Sequence, residues 1–181
     1  KIFAKLKWII FVCLLNDLSA TSQASQSTEW RITHPKWTTT DEKSFQEFIV
    51  RIGTAVERRD CITVTECMKS EANLYRTSDP HDLNIESDCA DLPYVLRAYF
   101  SWKNGLPFTF AQRMTFKVQP ETPPFWKFWV RSNAADLRYS VEGNLVAERF
   151  HVINTSQKSI NAYEVLQSLI PDYISSASFR T

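Results

Sequence analysis

Phe45, Phe48, Ile49, Ile52 and Val56 recur at helical spacing and predict an amphipathic helix ending near Arg59. Thr39, with Glu42 three residues on, supplies a capping box at its start. Thr63 and Glu66 repeat that pattern at the head of a second, shorter helix that runs out between Asn73 and Pro80. Residues Arg76 to Ser87 are polar and broken by Pro80, which reads as a surface loop. The clearest element follows: Leu92, Val95, Leu96, Tyr99 and Phe100 lie at i, i+3, i+4, i+7 and i+8, and Gly105 and Pro107 end the run. The period then changes. Phe108–Phe110, Met114–Val118, Phe125–Val130, Leu137–Val141 and Leu145–Ile153 all read as strands, with Glu142-Gly143-Asn144 as a hairpin turn between the last two. Helical spacing returns at Tyr163, Leu166, Leu169 and Ile170, capped by Asn161 with Glu164 and closed by Pro171. Helices, antiparallel strands and a closing helix together predict an α+β domain around a packed central helix.

Residues 1–24 carry a different pattern. Lys1, Lys5 and Lys7 precede an apolar run from Trp8 to Leu15, and Ser22-Gln23-Ala24 forms a small-x-small cleavage site, the signature of a secretory signal. The apolar run is too short to span a bilayer. The expected organisation is a signal peptide at 1–24, a polar linker at 25–39 and a single α+β domain at 40–181. The chain opens on Lys1 and stops at Thr181 without a capping or turn signal, so this domain is expected to be incomplete at its C-terminal end.

Removing residues 1–24 takes away three Lys and one Asp and turns the net charge from +1 to −1, which leaves no electrostatic case for nucleic acid or an anionic membrane. Three glycines supply no Gly-rich loop for a nucleotide phosphate, so no cofactor is expected. The run Phe125, Trp126, Phe128, Trp129 is read mainly as core, with stacking on sugar rings as the alternative. Asn154-Thr155-Ser156 is an N-glycosylation pattern, which matters only in a eukaryotic secretory route.

Of four cysteines, Cys13 leaves with the signal. Cys61 and Cys67 are close enough for a disulfide if a turn joins them; the alternative is that all three remaining cysteines are reduced and buried. A zinc site from Cys61, Cys67, His81 and Cys89 matches no compact metal-binding spacing, so no metal is expected. Cys89 is the odd thiol. Ser87-Asp88-Cys89 stands at the head of the apolar helix, where unpaired N–H groups and the helix dipole favour a thiolate and an oxyanion. Asp88 and Asp91 are negative neighbours that count against it, and Pro93 makes the first turn irregular.

Asp88-Cys89-Ala90-Asp91-Leu92-Pro93-Tyr94 resembles the nucleophile segment of the papain-like fold in its NlpC/P60 and transglutaminase-like branches. Asp88 to Phe108, including Trp102-Lys-Asn-Gly-Leu-Pro-Phe, is similar to a group of secreted bacterial proteins of that superfamily. Ala90-Asp91 replaces the Ser-Gly of NlpC/P60 enzymes. The resemblance implies a papain-like arrangement, with N-terminal helices and the nucleophile helix packed on an antiparallel sheet. It makes Cys89 the nucleophile, with Asp88 and Asp91 around the oxyanion site. His151, the only histidine after Cys89, is the candidate base; the Gly-His pair that usually opens the base strand in this family does not occur before Thr181. His34 and His81 read as surface residues.

The expected protein is a secreted or periplasmic cysteine hydrolase of an amide or peptide bond, with a peptide or peptidoglycan-like substrate in the cell envelope and no membrane attachment once mature. The alternative is a non-catalytic exported binding module for glycan or peptide, in which Cys89 is structural.

Overall fold

The structure is a computed structural model and describes residues 27–118, 136–153 and 160–181. The expected signal peptide, the Phe125–Val130 strand and the Asn154 glycosylation pattern lie outside those residues. Among the described residues, four helical segments and two small antiparallel sheets make a mixed α+β fold. Among the described residues no helix is long and apolar enough to cross a membrane.

The fold begins earlier than expected. Glu29–Trp30 forms a short strand, β1, paired antiparallel with β4 (Ile160–Asn161), inside the stretch read as linker. Trp30 is 3% exposed, its indole N–H donates to Leu106 O at 3.0 Å, and its ring stacks on Phe108. Trp37 stacks on Phe100 and donates to Pro107 O at 2.8 Å. Two tryptophans in a polar stretch thus anchor residues 29–38 to the core.

Helix α1 (Thr39–Glu57) is capped by Thr38, whose hydroxyl accepts from Asp41 N–H while the Asp41 carboxylate accepts from Thr38 N–H. The box sits one residue before the Thr39–Glu42 pair expected from sequence. These bonds hold the Asp41 carboxyl below its ordinary range. At the other end Arg59 N–H donates to Val56 O and Asp60 N–H to Ala55 O, a Schellman closure that puts Arg59 at φ 63°. Helix α2 (Val64–Lys69) starts at Thr63 with the expected Glu66 box and ends sooner than expected, at Ser70.

Helix α3 (Leu92–Lys103) is the centre of the core, with Val95, Ala98, Tyr99, Phe100, Ser101 and Trp102 buried. Gly105 closes it at φ 61°, and a Cβ there would lie 2.2 Å from Thr33 Oγ1. Against α1 it is fixed by Arg97, which grips Glu42 with two hydrogen bonds (2.7 and 2.5 Å) and lies 3.5 Å over the Trp37 ring. That guanidinium pulls the Glu42 carboxyl below its ordinary range.

The two expected strands Phe108–Phe110 and Met114–Val118 are one strand, β2 (Phe108–Phe116), bulged around Ala111–Met114. Its partner is β3 (Asn144–Val152), in register from Phe108 opposite Val152 to Phe116 opposite Asn144. Leu137–Val141 is not a strand and makes no hairpin with β3. The Asp136 carboxylate accepts from Arg138 N–H and turns Leu137–Tyr139 into one 3₁₀ turn. Local capping there defeats a five-residue alternation. The last helix, α4 (Ala162–Glu164, Val165–Leu169 and Ile170–Tyr173), starts at Asn161 as expected but runs through Pro171. Its middle section is a π-turn in which Ile170 N–H reaches Val165 O, and this widened turn accommodates the proline's lost donor and bulky ring.

A buried polar cluster joins the loop after α2 to α3. Tyr99 donates to Asp79 Oδ2 at 2.5 Å, Asn73 Nδ2 donates to Tyr99 Oη at 2.7 Å, and Lys103 Nζ lies 2.5 Å from Asp79 Oδ1. Burial and the adjacent Asp79 carboxylate push the Tyr99 hydroxyl far above the ordinary tyrosine range, and burial pushes the Lys103 ammonium down.

Replacing Arg59 by Gly relieves the left-handed backbone and stabilises by about 1 kcal/mol, or about 2–4 °C in a thermal unfolding scan, whereas Arg59→Ala gives no gain. Because the folded Tyr99 stays protonated, stability is fully present below pH about 10 and is lost above it, as the unfolded tyrosine ionises. Lys103 acts oppositely, adding stability as pH rises from its lowered folded value towards about 10.4, and then levels off. Urea midpoints measured between pH 9 and 11 should therefore fall at the alkaline end. Tyr99→Phe should flatten that fall while losing about 1–3 kcal/mol at pH 7 through the abandoned Asn73 and Asp79 groups.

Candidate functional site

Cys89 is exposed and is the one free cysteine among the described residues. Its position is set from both sides. Upstream, Ile85 is buried and its N–H donates to Thr65 Oγ1 of α2 at 2.7 Å. Downstream, Asp88 and Asp91 cap one another: Asp88 Oδ1 accepts from Ala90 N–H (2.6 Å) and Asp91 N–H (3.0 Å), and Asp91 Oδ1 accepts from Asp88 N–H (2.8 Å). Ser87 Oγ adds a 2.6 Å bond to Asp91 Oδ1, and Asp91 is only 4% exposed. Leu92 N–H closes the turn on Asp88 O at 3.1 Å. Pro93 has no N–H for the next bond, so regular helix starts only at Leu92 and the first turn is irregular as expected.

Asp88 is therefore the working cap of this turn and Cys89 its first residue. The arrangement divides the backbone donors at the helix head. Ala90 and Asp91 N–H groups are taken by the Asp88 carboxylate, while the Cys89 N–H has no acceptor among the described residues. An oxygen attached to a carbon bonded to Cys89 Sγ is well placed to accept from that N–H. Asp88 and Asp91 themselves only accept; they shape the turn and donate nothing to an oxyanion.

His151 is on β3 opposite Thr109, whose hydroxyl is 3.1 Å from its Nδ1. This is the end of the ribbon near the C-terminal end of α3, where Phe108 stacks on the Trp30 that is bonded to Leu106. The Cys89 end of α3 meets the opposite end of the ribbon. Tyr94 packs edge-on against Phe179, and the neighbouring Ala177 O accepts from Asn144 Nδ2 at 3.0 Å. His151 is seven residues further along β3 than Asn144, about 24 Å. Cys89 and His151 share no hydrogen bond, and the structure does not bring them together. His34 bonds Asn104 O at the far end of α3, and His81 lies exposed in the turn after Pro80.

Cys61 and Cys67 form a disulfide with Cα atoms 5.1 Å apart, both sulfurs buried at the head of α2. This removes them from any zinc set, and among the described residues no three His, Cys, Asp or Glu side chains converge on a metal position. Sequence reading missed the Asp79–Lys103–Tyr99–Asn73 cluster. Its one available signal was a lysine on the same helical face as Tyr99, while Asp79 and Asn73 were hidden in a loop that read as surface.

Compared with protein-family models, with curated proteins and with solved structures, the chain matches none, so the chemistry of Cys89 rests on the geometry around it.

Proposed function

We propose that the chain is a secreted cysteine hydrolase acting on an amide or peptide bond, with Cys89 as its nucleophile. One observation carries the reading: an exposed free thiol in a turn held by side-chain bonds at the head of the most buried helix, with its own backbone N–H left unpaired. In this scheme the Cys89 sulfur attacks the carbonyl carbon and the carbonyl oxygen turns to the Cys89 N–H. As the C–N bond breaks the thiol's proton ends on the leaving amine, and water then hydrolyses the thioester, releasing the carboxylic acid and restoring the Cys89 thiol. His151 stands at the far end of α3 and takes no part, so the proposal covers the nucleophile and oxyanion donor alone. The Cys61–Cys67 disulfide supports an oxidising compartment.

A second reading is an exported module that binds peptide or glycan without cleaving it. The Asp88 carboxylate on two helix-head donors favours it, as does the lack of a histidine bonded to Cys89.

Rates of modification by a peptidyl chloromethyl ketone and by iodoacetamide separate the two readings, with glutathione as reference thiol at the same pH. For the hydrolase, the chloromethyl ketone to iodoacetamide ratio at Cys89 exceeds that of glutathione by about tenfold or more, because only the ketone uses an oxyanion donor. Cys89→Ser forms no adduct with either reagent. A ratio equal to that of glutathione overturns the hydrolase and leaves the binding module.

A further inference from the structure

A second feature lies apart from Cys89, on the outer face of α1. Its C-terminal half and the turn after α2 enclose an open cleft of about 610 Å³, lined by Val50, Arg51, Thr54, Arg58, Asp60 and Glu71 among others. That volume falls in the range of small-ligand sites. Both walls are firmly held. Arg51 bridges them, donating from Nε to Ala72 O (3.2 Å) and from Nη2 to Glu71 O (3.3 Å). The opposite wall follows directly on α2, which the Cys61–Cys67 disulfide and the Thr63–Glu66 box tie down.

Charge in the cleft is unevenly satisfied. Glu71 is drawn towards Arg76, 3.5 Å away. Among the described residues the guanidinium of Arg58 and the carboxylate of Asp60 have no bonded partner, and Arg51 Nη1 has none. Arg51 lies on α1 and Arg58, its C-cap, is seven residues further on, about 10.5 Å along the axis, with Thr54 between them. Val50 is 67% exposed beside them, an apolar surface with no role in the core. Arg59, held at φ 63°, turns the chain so that Asp60 returns to the cleft rim.

We propose that this cleft binds a small organic carboxylate with an apolar body. The carboxylate pairs with the free guanidinium of Arg58, and the body lies along Val50, Thr54 and Ala55. A planar guanidinium fork suits a carboxylate in two-point contact. Asp60 at the rim sets the preference, rejecting ligands of higher negative charge and admitting a donor group on the bound one.

The test is a titration of the ¹⁵N-labelled chain with phenylacetate, followed by backbone amide shifts, with phenylacetamide as the uncharged control. The expected result is saturable shifts confined to Val50–Asp60 and Ser70–Ala72, with Kd on the order of 1 mM for a ligand of this size. Arg58→Gln should weaken phenylacetate binding about fivefold or more with an unchanged melting temperature, while Lys43→Gln, outside the cleft on the same helix, leaves it unchanged. Equal shifts with phenylacetamide, equal losses in both variants, or no saturation up to about 10 mM would each overturn the proposal.

Discussion

The ion pair between Asp79 and Lys103 is the contact on which the arrangement of the chain most depends. Both side chains are only 6% exposed, so each charge has lost most of its hydration, and the pair draws on further bonds to Asp79 Oδ2 and to the Lys103 ammonium, while Asp79 Oδ1 has the ion pair alone. Asp79 is completed by Tyr99 and Asn73, and Lys103 by Ser78 O and the Trp102 ring 3.8 Å away. A cluster of this kind is worth more intact than its parts, because losing one member leaves a buried charge facing apolar core, at a cost of about 3–5 kcal/mol. It fastens an otherwise irregular stretch, Asn73 to Leu83, onto α3. The next residues, Leu83 and Ile85, can then enter the core and deliver Cys89 to the head of that helix.

The two ends of α3 consequently carry different chemistry. At the C-terminal end, Gly105 closes the helix and its carbonyl accepts from the N–H groups of Thr33 and His34, so the N-terminal strap and the start of β2 gather there. At the N-terminal end, the Asp88–Asp91 box and the Ser175–Arg180 region meet. Strand β2 runs between these ends, and its register with β3 places His151 beside the closing turn of α3. A cysteine and a histidine that are compatible in residue type and order are thus separated by the length of the helix between them.

How much of this was legible depended on whether the deciding interaction was local. Helices α1, α2 and α3 were readable because their caps and apolar stripes lie within a few residues of each other. The anchoring of residues 29–38 was not legible, because two tryptophans among polar neighbours have no period and their partners, Leu106 and Pro107, are some seventy residues away. Leu137–Val141 alternates like a strand, but Asp136 captures the Arg138 N–H first. Gln112 and Arg113 broke the apparent strand pattern between Phe110 and Met114, where one continuous strand absorbs them in a bulge. Pro171 read as a stop because a proline in a regular helix loses a bond and clashes; the π-turn before it removes that conflict. The irregular turn that carries Cys89 was legible, since Asp88, Asp91 and Pro93 all lie within four residues of it. Its relation to His151 was not, because spacing along the chain says nothing about which end of a strand faces which end of a helix.

The same local bonds explain why Cys89, unlike the other two described cysteines, remains available. Cys61 and Cys67 are separated by a capped turn and buried at 4% and 2%, so folding of α2 brings the two sulfurs together and seals them from solvent. At Cys89 the proline four residues on would press its ring against the Cys89 carbonyl in a regular helix, which displaces that turn from the helical path. The displaced turn would be costly if its donors were left bare, and Asp88 and Asp91 occupy three of them from within. What they leave is one N–H and one thiol on the same exposed residue. The exposure of Cys89 follows from how the helix is started, and the core beneath it is packed as tightly as elsewhere, with Val95 and Ala98 fully buried.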